Sequence, residues 1–96
     1  MAPTALPDPE KRPRLAPGCR LAENAQQPRA LQMPERVLQL NGPSLEIVQR
    51  CDGKHTVREI ILDLQQIYTK TDPLKVEQDI LEYLTLLQEQ RALDFE

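Results

Sequence analysis

Residues 56–68 read TVREIILDLQQIY, and they carry the clearest structural signal in the chain. Thr56 is followed three positions later by Glu59, a capping box in which each side chain accepts a hydrogen bond from the other residue's backbone N–H. The apolar residues then follow the i, i+3, i+4, i+7 spacing of an amphipathic helix. They are Val57, Ile60, Ile61, Leu64, Ile67 and Tyr68. The pattern predicts a helix that starts at Thr56 and ends near residues 70–71.

A further helix is predicted on each side of this one. Residues 41–44, NGPS, end an extended segment and can begin a helix, because proline is tolerated in the first turn. Gly53 is suited to stop that helix. Downstream, Asp72 is a good N-cap and Pro73 a good first residue for a helix that runs to about Gln90. The apolar stripes are Leu45, Ile47, Val48 and Cys51 in the first helix, and Val76, Ile80, Tyr83, Leu84 and Leu87 in the third.

Three short segments before the helices alternate apolar and polar residues with the period of two that is typical of strands: 19–23, 29–33 and 36–40. Pro34-Glu35 is suited to a tight turn between the last two. The segments predict a small antiparallel meander, which needs a helical layer to be stable. The fold class is therefore α+β, with a three-stranded antiparallel sheet followed by three helices. Leu93 and Phe95 are candidates for a final packing contact.

The N-terminal segment differs in composition from the rest. Five of the nine prolines lie within residues 1–17, together with a basic cluster at residues 11–14. Such a segment buries too little apolar surface to offset its ordering entropy. We therefore expect a disordered, proline-rich basic tail over residues 1–14 and one domain over residues 15–96.

Composition also limits the classes of function. The chain has 96 residues, no apolar run near the roughly 18 that would span a membrane, and no secretory apolar region in residues 1–17. We expect a cytoplasmic protein without a membrane partner. Cys19 and Cys51 are expected to be free thiols, with Cys51 in the core. The single histidine, His55, is expected in a solvated turn, so no metal site, cofactor site or catalytic group is indicated.

The remaining possibilities are kinds of binding. A winged helix-turn-helix DNA-binding regulator is the alternative, but its third helix, residues 73–91, carries two basic and four acidic residues. We therefore expect no nucleic acid as a partner, and DNA binding stays open only through the N-terminal arm. A peptide could instead add as a strand to the open edge of residues 36–40, with the third helix as a wall. Leu74 and Leu81 fall on the far side of the third helix. They could cover the core, or pair with a second copy in a structural homodimer, so monomer and homodimer both stay open.

Several ordered pieces of the sequence resemble one family. Residues 34–41, PERVLQLN, are similar to the "PER…LN" signature of the pyrroloquinoline quinone biosynthesis protein D family, whose members are precursor peptide recognition elements. Residues 51–53, CDG, and 56–60, TVREI, resemble its next conserved segment. Residues 13–15 and 18–21 resemble its opening, and Asp79, Ile80, Leu84 and Leu87 match its last helix. The chain lacks the tryptophan that members often carry and has Arg91-Ala92-Leu93 where a glycine is frequent.

This resemblance implies a winged helix-turn-helix-like peptide chaperone. Such a protein holds a ribosomally made precursor peptide and presents it to a radical S-adenosylmethionine enzyme, which crosslinks a Glu and a Tyr of the peptide. The cofactors then belong to the partner enzyme. The resemblance implies a peptide site at Arg36, Val37, Leu38, Gln39 and Leu40 on the third strand, with Val76, Ile80, Tyr83 and Leu84 as the helical wall. The apolar members of this set are also suited to the core.

Overall fold

The computed structural model describes residues 7–22, 30–40 and 42–96. In these ranges the elements are β1 (Pro13–Leu15), β2 (Arg20–Ala22), β3 (Ala30–Gln32), β4 (Val37–Gln39), α1 (Gly42–Gln49), α2 (Val57–Ile67), α3 (Pro73–Glu89) and β5 (Leu93–Phe95). The strands form a three-stranded antiparallel sheet in the order β2-β3-β4 and a separate two-stranded sheet of β1 and β5. The predicted α+β class with three helices after the meander is confirmed.

The capping residues predicted for α2 and α3 are confirmed. The Glu59 N–H donates to Thr56 Oγ1 at 3.1 Å, and the Thr56 N–H donates to Glu59 Oε1 at 2.8 Å. Asp72 caps α3 through a 3.0 Å hydrogen bond from the Leu74 N–H. The predicted end of α2 was wrong: the helix stops at Ile67, because Tyr68 leaves helical geometry (φ −101°, ψ 63°).

The meander forms from the three predicted segments, although each strand is shorter than its segment. Residues 23 and 29, at the predicted ends of the first and second strands, lie outside the described residues. Leu31 is fully buried and pairs with Leu38 across the sheet. Leu40 is buried, whereas Val37 is exposed on the other face, as its position in the alternation predicts.

The structure corrects the expected boundary of the N-terminal tail. Pro13 is buried, and β1 pairs with β5 in the register Pro13 to Phe95. The N–H groups of Val57 and Arg58 donate to the carbonyls of Lys11 and Pro9 at 2.9 and 3.0 Å. Both donors are in the first turn of α2, where no carbonyl of the helix itself can accept them. These hydrogen bonds and the pairing of β1 with β5 hold residues 9–15 against the domain. Residues 1–6 of the expected tail lie outside the described residues.

The core lies between the meander and the helices. Cys51 is buried in it, and its thiol donates to the Ile47 carbonyl at 3.2 Å. Burial, followed by the nearby Asp52 charge, raises the pKa of the Cys51 thiol to about 12, so the thiol stays protonated and acts as a small apolar residue. Both cysteines are free, as predicted. The core cluster contains Leu31, Leu40, Leu45, Ile47, Val48, Cys51, Val57, Ile60, Ile61, Leu64, Val76, Ile80, Leu84, Leu87, Ala92 and Leu93.

The turn between α1 and α2 attaches β1 to the helices. The Gly53 N–H donates to the Pro13 carbonyl at 2.9 Å. Gly53 has φ 76°, and a Cβ there would lie 3.1 Å from Arg14 Cδ, so the position suits glycine. Asp52 accepts hydrogen bonds from the N–H groups of Lys54 and His55 at 2.8 and 3.1 Å. The sequence predicts a solvated His55. Its side chain is instead only about a third exposed, and His55 Nδ1 lies 3.0 Å from Asp52 Oδ2.

These contacts predict acid-sensitive stability. Desolvation raises the pKa of the Asp52 carboxyl, but the hydrogen bonds from Lys54 and His55 outweigh it and hold that pKa at about 2, below the ordinary 3.8. A lowered pKa stabilises the fold above the unfolded-state value, and this contribution is lost as pH falls from about 4 towards 2. Because Asp52 is exposed, we expect a loss of about 1 kcal/mol.

The substitution Asp52→Asn keeps an acceptor oxygen and removes the charge, so its stability should fall less than that of the parent chain across this pH range. Urea denaturation of both chains at pH 2.5, 4 and 6 measures the difference. Parallel losses of stability in the two chains would contradict the assignment.

Candidate functional site

The outer edge of β4 carries backbone groups that the sheet does not use. The Met33 N–H donates to the Arg36 carbonyl at 2.9 Å, so residues 33 and 36 form a hydrogen-bonded pair of the antiparallel ladder. Since such pairs alternate along the strand, Leu38 bonds to Leu31, and the N–H and C=O groups of Val37 and Gln39 point away from β3. In the described ranges no strand pairs with this edge.

Two contacts place α3 beside this edge. At one end, Arg36 Nη1 approaches Gln90 Oε1 at 3.5 Å, the weak limit of a hydrogen bond. At the other end, the Tyr83 hydroxyl is hydrogen-bonded to Ser44, in the first turn of α1. Arg36 directly precedes β4 and Ser44 follows it in α1, so Gln90 lies near the start of β4 and Tyr83 lies near its end. The last two turns of α3 therefore run alongside β4, in the opposite direction.

The flank of α3 that faces this edge presents Tyr83, Leu86 and Gln90, which are spaced by three and seven residues and share one side of the helix. Tyr83 and Gln90 are half-buried, and Leu86 is 42% exposed. Burial raises the pKa of the Tyr83 phenol, and the nearby Cys51 adds to this, although the bond to Ser44 works in the other direction. The phenol is therefore neutral and can both donate and accept. We call the β4 edge and this flank the edge groove.

The structure separates the residues of the predicted helical wall. Val76, Ile80 and Leu84 are buried in the core. Val76 and Ile80 line a cavity of about 90 Å³ between the three helices, against Ile47 and Leu64. Of the predicted wall, only Tyr83 reaches the edge groove. On β4, Val37 and Gln39 are exposed, Leu38 is half-buried and Leu40 belongs to the core.

Sequence reasoning did not identify Leu86, Gln90 and Arg91 as site residues. The available signal was the spacing of Leu86 and Gln90 from Tyr83, which places all three beside the core stripe rather than on it. The apolar stripe of α3 predicts core and wall together, since periodicity cannot tell which of two neighbouring elements a helix face covers.

The predicted partner patch lies on the opposite flank of α3. Leu74 is 67% exposed, whereas Leu81 is half-buried and packs against the core. Leu81 also lines a cavity of about 450 Å³ with Leu62 and the segment at Pro7 and Pro9. The patch is thus separate from the edge groove, and its use by a second copy stays a prediction.

The described residues form neither a metal centre nor a membrane-spanning helix. No group of three or more His, Cys, Asp and Glu side chains there could hold a metal ion. None of the described helices combines the length and the apolar character needed to cross a membrane.

Comparisons with known proteins agree with one another. The family model described as Coenzyme PQQ synthesis protein D (PqqD) matches residues 29–93. The chain is 32% identical to the PqqA binding protein of Xanthomonas axonopodis pv. citri, over 88% of this chain and 91% of that protein. It is 35% identical to the bifunctional coenzyme PQQ synthesis protein C/D of Methylorubrum extorquens, over 85% of this chain but only 22% of that protein.

A solved structure has the same fold. The solution NMR structure of the PqqD truncation of Methylobacterium extorquens PqqCD superimposes with a TM-score of 0.73 at 35% identity, over 98% of this chain and 99% of that one. That protein is described as a functional, stand-alone recognition element for ribosomally synthesized and post-translationally modified peptides.

The assignment of α3 residues to core or groove predicts a contrast between two leucines. Leu84→Ala should lower the free energy of unfolding by about 2–5 kcal/mol, because it leaves a cavity in the core. Leu86→Ala should change it by less than about 1 kcal/mol, since Leu86 is partly exposed and alanine favours helices. Urea denaturation of both variants tests this. Equal losses would show that Leu86 belongs to the core rather than to the edge groove.

Proposed function

This chain belongs to the coenzyme PQQ synthesis protein D family, and we propose that it binds a PqqA-type precursor peptide as an added strand on β4. The observation that carries the proposal is the open edge of β4, where Val37 and Gln39 turn their N–H and C=O groups outward. An extended peptide at a sheet edge gains affinity from backbone hydrogen bonds and specificity from the side chains beside it. The relatives named PqqA binding protein support this peptide as the ligand.

The edge groove offers each element that strand addition requires. The backbone of Val37 and Gln39 would supply the ladder bonds, and the exposed Val37 side chain would lie beside a cross-strand neighbour. On the other side of the peptide, Tyr83 and Leu86 would provide an amphipathic and an apolar contact. Leu38 and Leu40 would contribute indirectly, because their side chains pack β4 against the core.

We propose a chaperone role in coenzyme PQQ synthesis rather than catalysis. The peptide would be presented to the radical S-adenosylmethionine enzyme of the pathway, and any cofactor would belong to that enzyme. The relative that joins a C and a D protein in one chain supports close association between this family and other proteins of the pathway.

No observation favours the DNA-binding alternative. Residues 73–91, which hold the helix that would enter a groove, contain Lys75 and Arg91 against four acidic residues, a net charge of −2. Phosphates would be repelled by that surface.

Strand addition predicts that the backbone at residue 39 matters more than its side chain. In Gln39→Pro the N–H that points outward is lost, while the bonds from β4 to β3 are kept, because proline is tolerated on an edge strand with its nitrogen facing out. We expect affinity for a synthetic PqqA peptide to fall about tenfold or more. The matched variant Gln39→Ala keeps the N–H and should bind within about twofold of the parent chain. Isothermal titration calorimetry measures both.

Circular dichroism and urea denaturation would establish that the proline variant is folded. Strand addition at β4 is wrong if folded Gln39→Pro binds as tightly as Gln39→Ala. If the parent chain itself gives no saturable binding, the proposed function fails.

A further inference from the structure

One end of the edge groove adjoins a pocket to which strand addition assigns no role. A cavity of about 310 Å³ opens between the turn before β4 and the end of α3. Arg36, immediately before β4, and Gln90 and Arg91, at the end of α3, line one side, and Cys19 and Met33 contribute apolar surface. Since Arg36 directly precedes Val37, the pocket adjoins the end of the edge groove at which β4 begins.

The charges in this pocket are unbalanced. Two guanidinium groups, of Arg36 and Arg91, meet one carboxylate, of Glu35. Within the described residues neither arginine forms an ion pair: Arg36 reaches only the neutral Gln90 amide, at 3.5 Å. Elsewhere, Arg50 and Arg58 each lie 2.7 Å from a glutamate oxygen. The pocket thus holds two cationic side chains that have no carboxylate partner in the described part of the chain, although the net charge of the protein is −3.

The backbone of Arg91 adds an independent observation. The Arg91 N–H donates to the Gln88 carbonyl and the Ala92 N–H to the Leu87 carbonyl, at 2.9 and 2.8 Å, which is the Schellman termination of a helix. In this motif Arg91 has a left-handed backbone conformation, with φ 62°, which glycine adopts most easily. A long cationic side chain is therefore held at a site where the backbone alone would favour glycine.

We propose that this pocket binds an acidic side chain, Asp or Glu, of the peptide held in the edge groove, with Arg36 and Arg91 as its partners. This inference rests on the proposed function and adds the chemical class of one recognised residue. A guanidinium presents paired donors that match a carboxylate, and charge-assisted hydrogen bonds are the stronger kind. The apolar walls of Cys19 and Met33 would contact the methylene groups of the acidic residue.

The variant Arg91→Gly separates binding from folding. Glycine relieves the left-handed backbone, so the thermal midpoint should stay the same or rise, whereas affinity for a synthetic PqqA peptide should fall about fivefold. Arg36→Gln should weaken binding to a similar degree. Arg58→Gln is the control, since it removes the same charge on α2, in the lining of the other cavity with Leu62 and Leu81, and should leave affinity within about twofold.

Peptide analogues identify the partner. The set consists of PqqA peptides in which one Asp or Glu at a time is changed to Asn or Gln. One of these analogues should bind the parent chain about fivefold more weakly than the unchanged peptide does. The same analogue and the unchanged peptide should bind Arg91→Gly equally well. The loss should shrink at high ionic strength.

The outcomes are distinct. If Arg91→Gly and Arg36→Gln bind as the parent chain does while Gln39→Pro binds weakly, the acidic pocket is wrong and strand addition stands. If every single-acid analogue binds like the parent peptide, the pocket is also wrong. If the parent chain shows no saturable binding to the peptide, the proposed function and this inference fail together.

Discussion

The hydrogen bond from the Met33 N–H to the Arg36 carbonyl sets the alternation on which the candidate site depends. It fixes the register of β4 on β3, so Leu38 is committed to the sheet while Val37 and Gln39 are left with outward N–H and C=O groups. The same register turns Leu38 and Leu40 towards the core and Val37 to solvent. A shift of one residue would exchange these roles and remove the site.

The rest of the fold keeps α3 beside that edge. Capping at Thr56 and Asp72 sets where α2 and α3 begin. The carbonyls of Pro9 and Lys11 complete the first turn of α2, and β5 returns the chain after α3 to pair with β1. Leu84 and Leu87, fully buried, hold one side of α3 in the core. The neighbouring side of α3 is thereby held against the open strand, so a peptide would meet a groove formed in advance.

The helices and the meander were predictable because their signals are local: capping pairs, proline at a helix start, and apolar periodicity. The structured conformation of residues 9–15 was not predictable, because their partners are N–H donors on α2 and a strand about 80 residues away. The helical wall was only partly predictable. Val76, Ile80 and Leu84 have the composition of either core or groove, and the packing of α1 and α2 decides for the core. Tyr83 was among the predicted wall residues, whereas Leu86, Gln90 and Arg91 could be placed beside β4 only once the flank of α3 that faces the strand was known.

Amide hydrogen exchange by NMR, with and without a synthetic PqqA peptide, distinguishes strand addition at β4 from other modes of binding. Strand addition protects the N–H groups that point outward and leaves unchanged those already bonded within the sheet. Exchange at Val37 and Gln39 should slow in proportion to the bound fraction, while the rate at the intervening Leu38, measured relative to global stability, stays the same. Uniform protection of residues 37–39, or protection confined to α2 and the Leu74 side of α3, would contradict strand addition at β4.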